Sequence, residues 1–407
     1  MPNNLNTTTK PKINSVDKII FFICIVDTLF FPYIRVISAS FSMILLPLWY
    51  VFNLKKIKIS FEFQLFMILA SLVVLSVTIA NLVFPYTGIL QSNITTATIF
   101  LYGFLYYFFY RYYFQASNAS LKKFLMLYTL FGFILALIYL ISPNLYFDVR
   151  SLWTMSGNDI DVTNSLTIFR FTSTFSDPNN ASVAFVGVMT FLLFNKKTNS
   201  VQSLLIIGET TVILFVTMSN TGFIAFALVL FLYFIRLIKP KKNIKFKKSV
   251  LLNLAIICFI APMLIFVTYK FIGSDFAQIV LDRVSGNSAD SRFDIWKELL
   301  NKENITKYIL YGMGGTLIID GTIFKPHNGH LHLIYNYGMI VYAIFIYIYF
   351  RKRKNTTWQS YLFLVPFILG FTINVGIYEP RFVTLLTLLL ASYASANQKH
   401  SLKIKSR

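Results

Sequence analysis

Residues 121–142 read LKKFLMLYTLFGFILALIYLIS: two lysines, then an apolar run that reaches Ser142 without a charge. As a helix rising about 1.5 Å per residue, the run is long enough to cross a hydrocarbon core of about 30 Å. The lysines place its first end at a cytoplasmic surface, where cations are retained. Runs of this kind recur along the chain. We expect twelve spans, over residues 19–34, 36–52, 61–82, 96–114, 121–142, 178–194, 201–218, 221–238, 249–271, 331–350, 359–374 and 382–396. The predicted class is all-α: a polytopic integral membrane helix bundle, one transmembrane domain over residues 1–407. Composition agrees, because the chain is 56% hydrophobic and only 13% charged, about half the charged share of a soluble domain. Transmembrane β-barrel strands alternate and do not carry such runs.

The net charge of +21 would suit nucleic acid, but its placement points elsewhere. Most of the 37 Lys and Arg fall in alternate connections: Lys10–Lys18, Lys55–Lys58, Arg111–Lys123, Lys196–Lys197, Arg236–Lys248, Arg351–Lys354 and the tail from Lys399. All lie on one side of the expected bundle. The positive-inside rule makes that side the cytoplasm and puts both termini there, facing anionic lipid and not nucleic acid. The first apolar run lacks a small-residue cleavage site and leads straight into a second, so we expect a retained anchor. Cys24 and Cys258 lie within apolar runs, which leaves neither a disulfide framework nor a structural zinc site.

The two longest connections, 143–176 and 272–330, fall on the outer side and break the rule of short uncharged turns. Arg150 and Arg170 sit among acidic residues in the first, Arg283 and Arg292 in the second. Extracytoplasmic loops of this kind fit work done on the outer face. Within the second, SADSRFDIWKELLNKENI (288–305) carries Ser291 as an expected N-cap, with Phe293, Trp296, Leu299 and Leu300 on one helical face. Gly312, Gly314 and Gly315 are expected to stop that helix and to allow tight backbone approach.

Three of the four histidines stand in PHNGHLHLIYNYG (326–338). On one continuous helix His327 and Gly338 share a face within about 20°, while His330 lies about 60° and His332 about 140° away from His327. Three imidazoles so arranged do not converge on one ion, so no metal site is expected. Pro326 favours an extended entry and Asn328 can cap, which puts His327 at the water boundary, neutral and able to accept a proton near physiological pH.

At His327-Asn328 followed by Gly338 the chain resembles the O-antigen ligase and Wzy-type polysaccharide polymerase superfamily. Three further pieces fit in order: Arg170 with TSTFSDPNNASVAF, DSRFDIWKELL, and YGMGG at 311–315. The chain departs from the family's Ser-Arg-x-Gly by reading Ser219-Asn220-Thr221-Gly222, one cation fewer. The resemblance implies a GT-C-like glycosyltransferase that needs neither metal nor cofactor. It would work on polyprenyl-diphosphate-linked oligosaccharide at the outer face of the bacterial cytoplasmic (inner) membrane. His327 would be the catalytic base. Arg170 and Arg292 would hold the diphosphate, with Arg283, Arg35 and Arg381 in reserve, and Asn179, Asn180 and Asn328 would contact substrate. A polymerase building O-antigen, capsule or exopolysaccharide is the expected activity, with a chain-length regulator and a flippase as partner candidates. A ligase transferring glycan to a lipid A core is the alternative. A transporter or flippase of lipid-linked sugar is the rival of another class, and Asp27 and Glu209 are its intramembrane carboxylates.

Overall fold

The computed structural model describes residues 13–30, 40–56, 60–83, 89–117, 120–151, 170–175, 177–195, 198–238, 296–301, 305–306, 309–310, 312–314, 317–319, 322–324, 328–351, 361–373 and 379–405. Its helices are α1 (Ser15–Leu29), α2 (Phe41–Asn53), α3 (Phe61–Val83), α4 (Ile89–Ala116), α5 (Lys122–Ile141), α6 (Pro143–Ser151), α7 (Pro178–Asn195), α8 (Ser200–Thr217), α9 (Asn220–Ile238), α10 (Gly329–Phe350), α11 (Leu364–Ile373) and α12 (Pro380–Lys405). Among the described residues, a helix falls on every expected span except 249–271, which lies outside them. Among the described residues, four helices are long and apolar enough to cross a membrane by length and composition: α3 over Phe61–Ala80, α5, α8 and, taken through the bend at Gly338, α10.

The helix starts follow local chemistry. Asn14 and Asp17 form a reciprocal capping box at α1, and Asn199 with Gln202 repeats it at α8. The helix therefore begins at Ser15, before the apolar run, because the cap and not hydropathy sets its first residue. In the middle of the bundle stands α7. All of Asn180–Phe194 is buried, and α7 packs against α5, α8, α9, α11 and α12. A helix apolar on every side has no lipid-facing stripe, and it must be enclosed by others. Around it α4 and α12 lie along one another, α5 packs on α8, and α10 packs on α3.

Side-chain contacts sort the helix ends into two groups. At the basic end, Glu62 at the start of α3 takes both Arg111 of α4 and Arg351 just past α10. Asp17 accepts from Trp49 Nε1 at 2.8 Å, Lys56 Nζ at 3.1 Å and Tyr112 OH at 3.1 Å. Arg236 donates to the Leu193 carbonyl at 3.3 Å. Each carboxylate here is buried with its cations, which is how a charge is kept out of water at tolerable cost. The starts of α1, α3, α5 and α8 and the ends of α2, α4, α7, α9 and α10 meet at this end.

Two expectations need correcting. The all-α reading misses a small antiparallel hairpin, in which Leu317–Ile319 (β1) pairs with Thr322–Phe324 (β2). Its strands are rich in β-branched residues, and Asp320-Gly321 between them is a strong two-residue hairpin signal. The outer-loop helix expected from Ser291 is described only as one turn, with Leu300 N–H bonded to the Trp296 carbonyl at 2.9 Å. Its N-cap and Phe293 lie outside the described residues. Leu299 is buried against Tyr335, beside Ile305, Met313 and Ile334, but Leu300 is exposed, so only part of the expected apolar face is used.

Candidate functional site

The second half of the histidine motif is broken, and the break organises its surroundings. Asn328 is extended, and its side-chain oxygen accepts from the N–H groups of His330 and Leu331, both at 3.0 Å. That cap starts α10 at Gly329. Asn328 caps as expected, but the one continuous helix assumed between the histidines and Gly338 breaks at Gly338, which has φ 83° and ψ 170°. The angles drawn from His327 concern a residue outside the described ones. Gly338 turns the chain sharply, which a residue with a Cβ rarely does. His330 Nδ1 lies 3.1 Å from the Tyr342 hydroxyl, although twelve residues of straight helix would rise about 18 Å. The contact is possible only because the half-helix 329–337 folds back toward the half 339–350.

A break of this kind frees backbone groups that must find partners in a buried setting. The glycine turn supplies them. Met313 N–H donates to the Tyr335 carbonyl at 2.7 Å, Gly314 N–H to the Asn336 carbonyl at 2.7 Å, and Met339 N–H to the Ile309 carbonyl at 2.6 Å. Ser76 Oγ of α3 adds a bond to the same Asn336 carbonyl at 2.9 Å. The glycines are fixed by proximity and by backbone conformation. A Cβ on Gly312 would lie 2.3 Å from the Asn336 carbonyl oxygen, and one on Gly314 2.3 Å from that of Ser76, with φ 74° and 71° respectively. Gly312–Gly314 is thus a suture between α3 and the broken helix, and the tight backbone approach expected of these glycines besides helix termination is what makes it.

Opposite the basic end, three arginines hold one buried segment. Phe171–Phe175 is buried throughout, with Ser173 in the left-handed region at φ 52°. Arg381 Nη1 donates to the Thr174 carbonyl at 2.5 Å and Nη2 to that of Phe30 at 3.4 Å, with its guanidinium 5.8 Å from the centre of the Phe175 ring. Arg150 Nη2 donates to the Phe175 carbonyl at 3.1 Å, and Tyr146 OH to the Ser173 carbonyl at 3.1 Å. Arg170 reaches the other way. Its Nε and Nη2 donate to the carbonyls of Thr217 and Met218 at 3.0 and 2.9 Å, where α8 ends in the left-handed Met218. A guanidinium fork across the last carbonyls of a helix satisfies groups the helix itself leaves open and meets the negative end of its dipole.

Asn179 and Asn180 stand beside this segment at the start of α7. Asp177 Oδ1 caps the helix by accepting from their N–H groups at 2.7 and 3.2 Å. The Asn180 side chain donates to Glu379 Oε2, and Asn179 Oδ1 accepts from Ser219 Oγ at 2.9 Å. Ser219 in turn accepts from Ser182 Oγ at 2.8 Å and from Gly222 N–H at 3.1 Å, capping α9. Arg170, Arg381, Asn179 and Asn180 are thereby brought to the same end of the bundle. Asn328 caps a separate element, and His327, Arg35, Arg283 and Arg292 lie outside the described residues. Of the two intramembrane carboxylates, Asp27 accepts from Ser42 N–H at 2.6 Å within electrostatic reach of Arg381, and Glu209 hydrogen-bonds Thr129 on α5. Asp27 belongs to the arginine end rather than to a path through the middle.

Sequence reasoning did not choose Arg150 or Glu379 for the site. Both had a signal: Tyr146 and Arg150 are four apart, one face of a helix, and Glu379-Pro380-Arg381 puts two charges against an apolar run.

Residues 204–346 match the family model described as O-antigen ligase. The matched part begins in α8 and includes Ser219, the suture and the break at Gly338, while Arg150, Arg170, Asn179, Asn180 and Arg381 fall outside it. Comparison with curated proteins and with solved structures returned no match.

Proposed function

We propose that the chain, which matches the O-antigen ligase family model over residues 204–346 and resembles the Wzy-type polymerases in its motifs, is a polymerase. It joins polyprenyl-diphosphate-linked oligosaccharide repeat units at the outer face of the bacterial cytoplasmic membrane, and is built as a GT-C-like glycosyltransferase of twelve spans. The match, together with helices long and apolar enough to cross a membrane, supports an integral membrane enzyme of the ligase and polymerase kind acting on lipid-linked polysaccharide. The observation that carries the finer reading is that the matched segment, residues 204–346, contains the glycine turn and the His327-Asn328 and Gly338 motif on which the resemblance to the polymerases rests. The guanidiniums of Arg150, Arg170 and Arg381 are taken up by backbone carbonyls, so in this reading they build the end of the bundle opposite the basic clusters, and the diphosphate is held by arginines of the connections.

In the proposed reaction the acceptor hydroxyl oxygen attacks the anomeric carbon of the donor. The bond from that carbon to the diphosphate oxygen breaks, and polyprenyl diphosphate leaves with the electron pair. The leaving group is stable as an anion, so no acid need protonate it. His327 takes the hydroxyl proton as general base. Arg292, Arg283 and Arg35 add charge from the outer connections, and Asn328 holds the element that follows the base. A flippase would deliver the donor and a chain-length regulator would limit the product. The description of the matched family as O-antigen ligase favours a second reading in which the acceptor is a lipid A core.

Purified protein supplied with lipid-linked repeat units in the presence of a chelator is expected to yield a ladder of longer lipid-linked glycans. Transfer only when a lipid A core is added would replace polymerase with ligase. Transfer only after a divalent ion is restored would overturn the metal-free mechanism. The orientation has its own test. Single cysteines at Ser156 and Ser288 are expected to react with an impermeant thiol reagent on intact cells or spheroplasts, and protection of both until lysis would invert the topology.

A further inference from the structure

We propose that Ser76 and the His330–Tyr342 pair are positioning residues: they set the angle of the half-helix 329–337 at the Gly338 bend. They thereby hold the half-helix that Asn328 caps in the orientation glycosyl transfer needs. The inference rests on the proposed function for its catalytic part, while its structural part stands alone.

The bend has few fixed constraints of its own. Gly338 has no side chain, and the suture bonds of Met313, Gly314 and Met339 are backbone bonds that any sequence of suitable conformation would supply. Beside the packing of Tyr337 on Phe100 and of Tyr335 on Leu299, which is not directional, two side-chain hydrogen bonds fix the angle. Ser76 Oγ holds the Asn336 carbonyl from α3, two residues before the bend. His330 bonds the Tyr342 hydroxyl across the bend and meets the Phe371 ring of α11 edge-on at 6.0 Å. One histidine therefore joins the first half of α10, its second half and α11. The half-helix is held by Ser76 near its last turn and by His330 at its first. An element pinned at both ends keeps one orientation, whereas an element on a glycine bend with either pin removed has a range of them. The cost falls on the chemical step, because a displacement of about 1 Å in a reacting group can lower the rate about 100-fold.

Ser76→Ala and Tyr342→Phe each remove one tie without enlarging a side chain, and Ser76→Thr keeps the hydroxyl. Ser71→Ala is the control: it lies on the same helix, and its hydroxyl only bonds the Met67 carbonyl of its own turn. With full-length protein in lipid nanodiscs, kcat on lipid-linked repeats is expected to fall about 10- to 100-fold in Ser76→Ala and in Tyr342→Phe with KM little changed. Ser76→Thr recovers most of it and Ser71→Ala loses none. Amide hydrogen exchange in residues 329–342 is expected to quicken about 2- to 10-fold in the two impaired variants, with α7 unchanged. Unaltered exchange there, or equal loss of protection in α7, overturns the tie. Quickened exchange with normal kcat overturns the positioning role. Wild-type protein that transfers no sugar indicts the proposed function instead, and the exchange data then decide the bend alone.

Discussion

His327→Ala is expected to lower polymer formation about 10²- to 10⁴-fold, the contribution of a well-placed general base, while retention of the lipid-linked donor stays near the wild-type value. The separation of the two effects follows from roles. Donor affinity comes from charge at the diphosphate and from the lipid chain, and neither involves an imidazole that receives the acceptor proton. Its neighbours respond differently. His330 is already held by the Tyr342 hydroxyl at Nδ1 and packs edge-on against Phe371, so His330→Ala is expected to lower thermal stability as well as rate. His332→Ala is expected to leave transfer largely intact. The measurement is glycan laddering together with donor retention at matched membrane abundance. A wild-type ladder from His327→Ala would remove the base assignment, and so would a loss of donor binding equal to the loss of rate.

How far the sequence discloses such a site depends on how local its causes are. The spans were legible because hydropathy is summed over a run, but that α7 is the enclosed one was not, since its run is no more apolar than those of its neighbours. The cap at Asn328 was legible as well. SDPNN, expected to contact substrate through Asn179 and Asn180, also has the composition of a turn and helix cap, and Asp177 performs that second role. The break at Gly338 was not legible, since the apolar pattern of 331–350 continues through it. What stabilises the break is Ser76, 260 residues away in the chain, and a glycine turn whose close backbone approach was expected but whose partner was not. Long-range backbone satisfaction leaves no periodic trace. The direction of Arg170 was hidden likewise. A guanidinium near an outer loop reads as an anion clamp, but the carbonyls at the end of α8 are acceptors that composition does not show.

Those carbonyls also bear on the expected effect of removing Arg381, which is larger in stability than in affinity. Arg381→Met is expected to destabilise the folded protein by about 3–5 kcal/mol, the usual cost of deleting one partner of a buried charged contact. The side chain is 2% exposed. Its guanidinium satisfies carbonyls of Thr174 and Phe30, lies against Phe175, and faces the carboxylate of Asp27. Methionine of similar length fills much of the volume yet leaves both carbonyls without that donor and Asp27 without its countercharge. Arg381→Lys keeps the charge but cannot span two carbonyls with one planar fork, so it is expected to recover only part of the loss. A second change separates the charge from the hydrogen bonds. Asp27→Asn removes the carboxylate that Arg381 faces, and in the Arg381→Met background it is expected to restore part of the stability, because no buried anion is then left uncompensated. Thermal unfolding of the four variants in matched detergent reads the cycle. Additive losses in the double variant would show that Asp27 and Arg381 do not act as a pair. An Arg381→Met protein with the wild-type melting temperature would show that the 171–175 segment does not depend on its arginine.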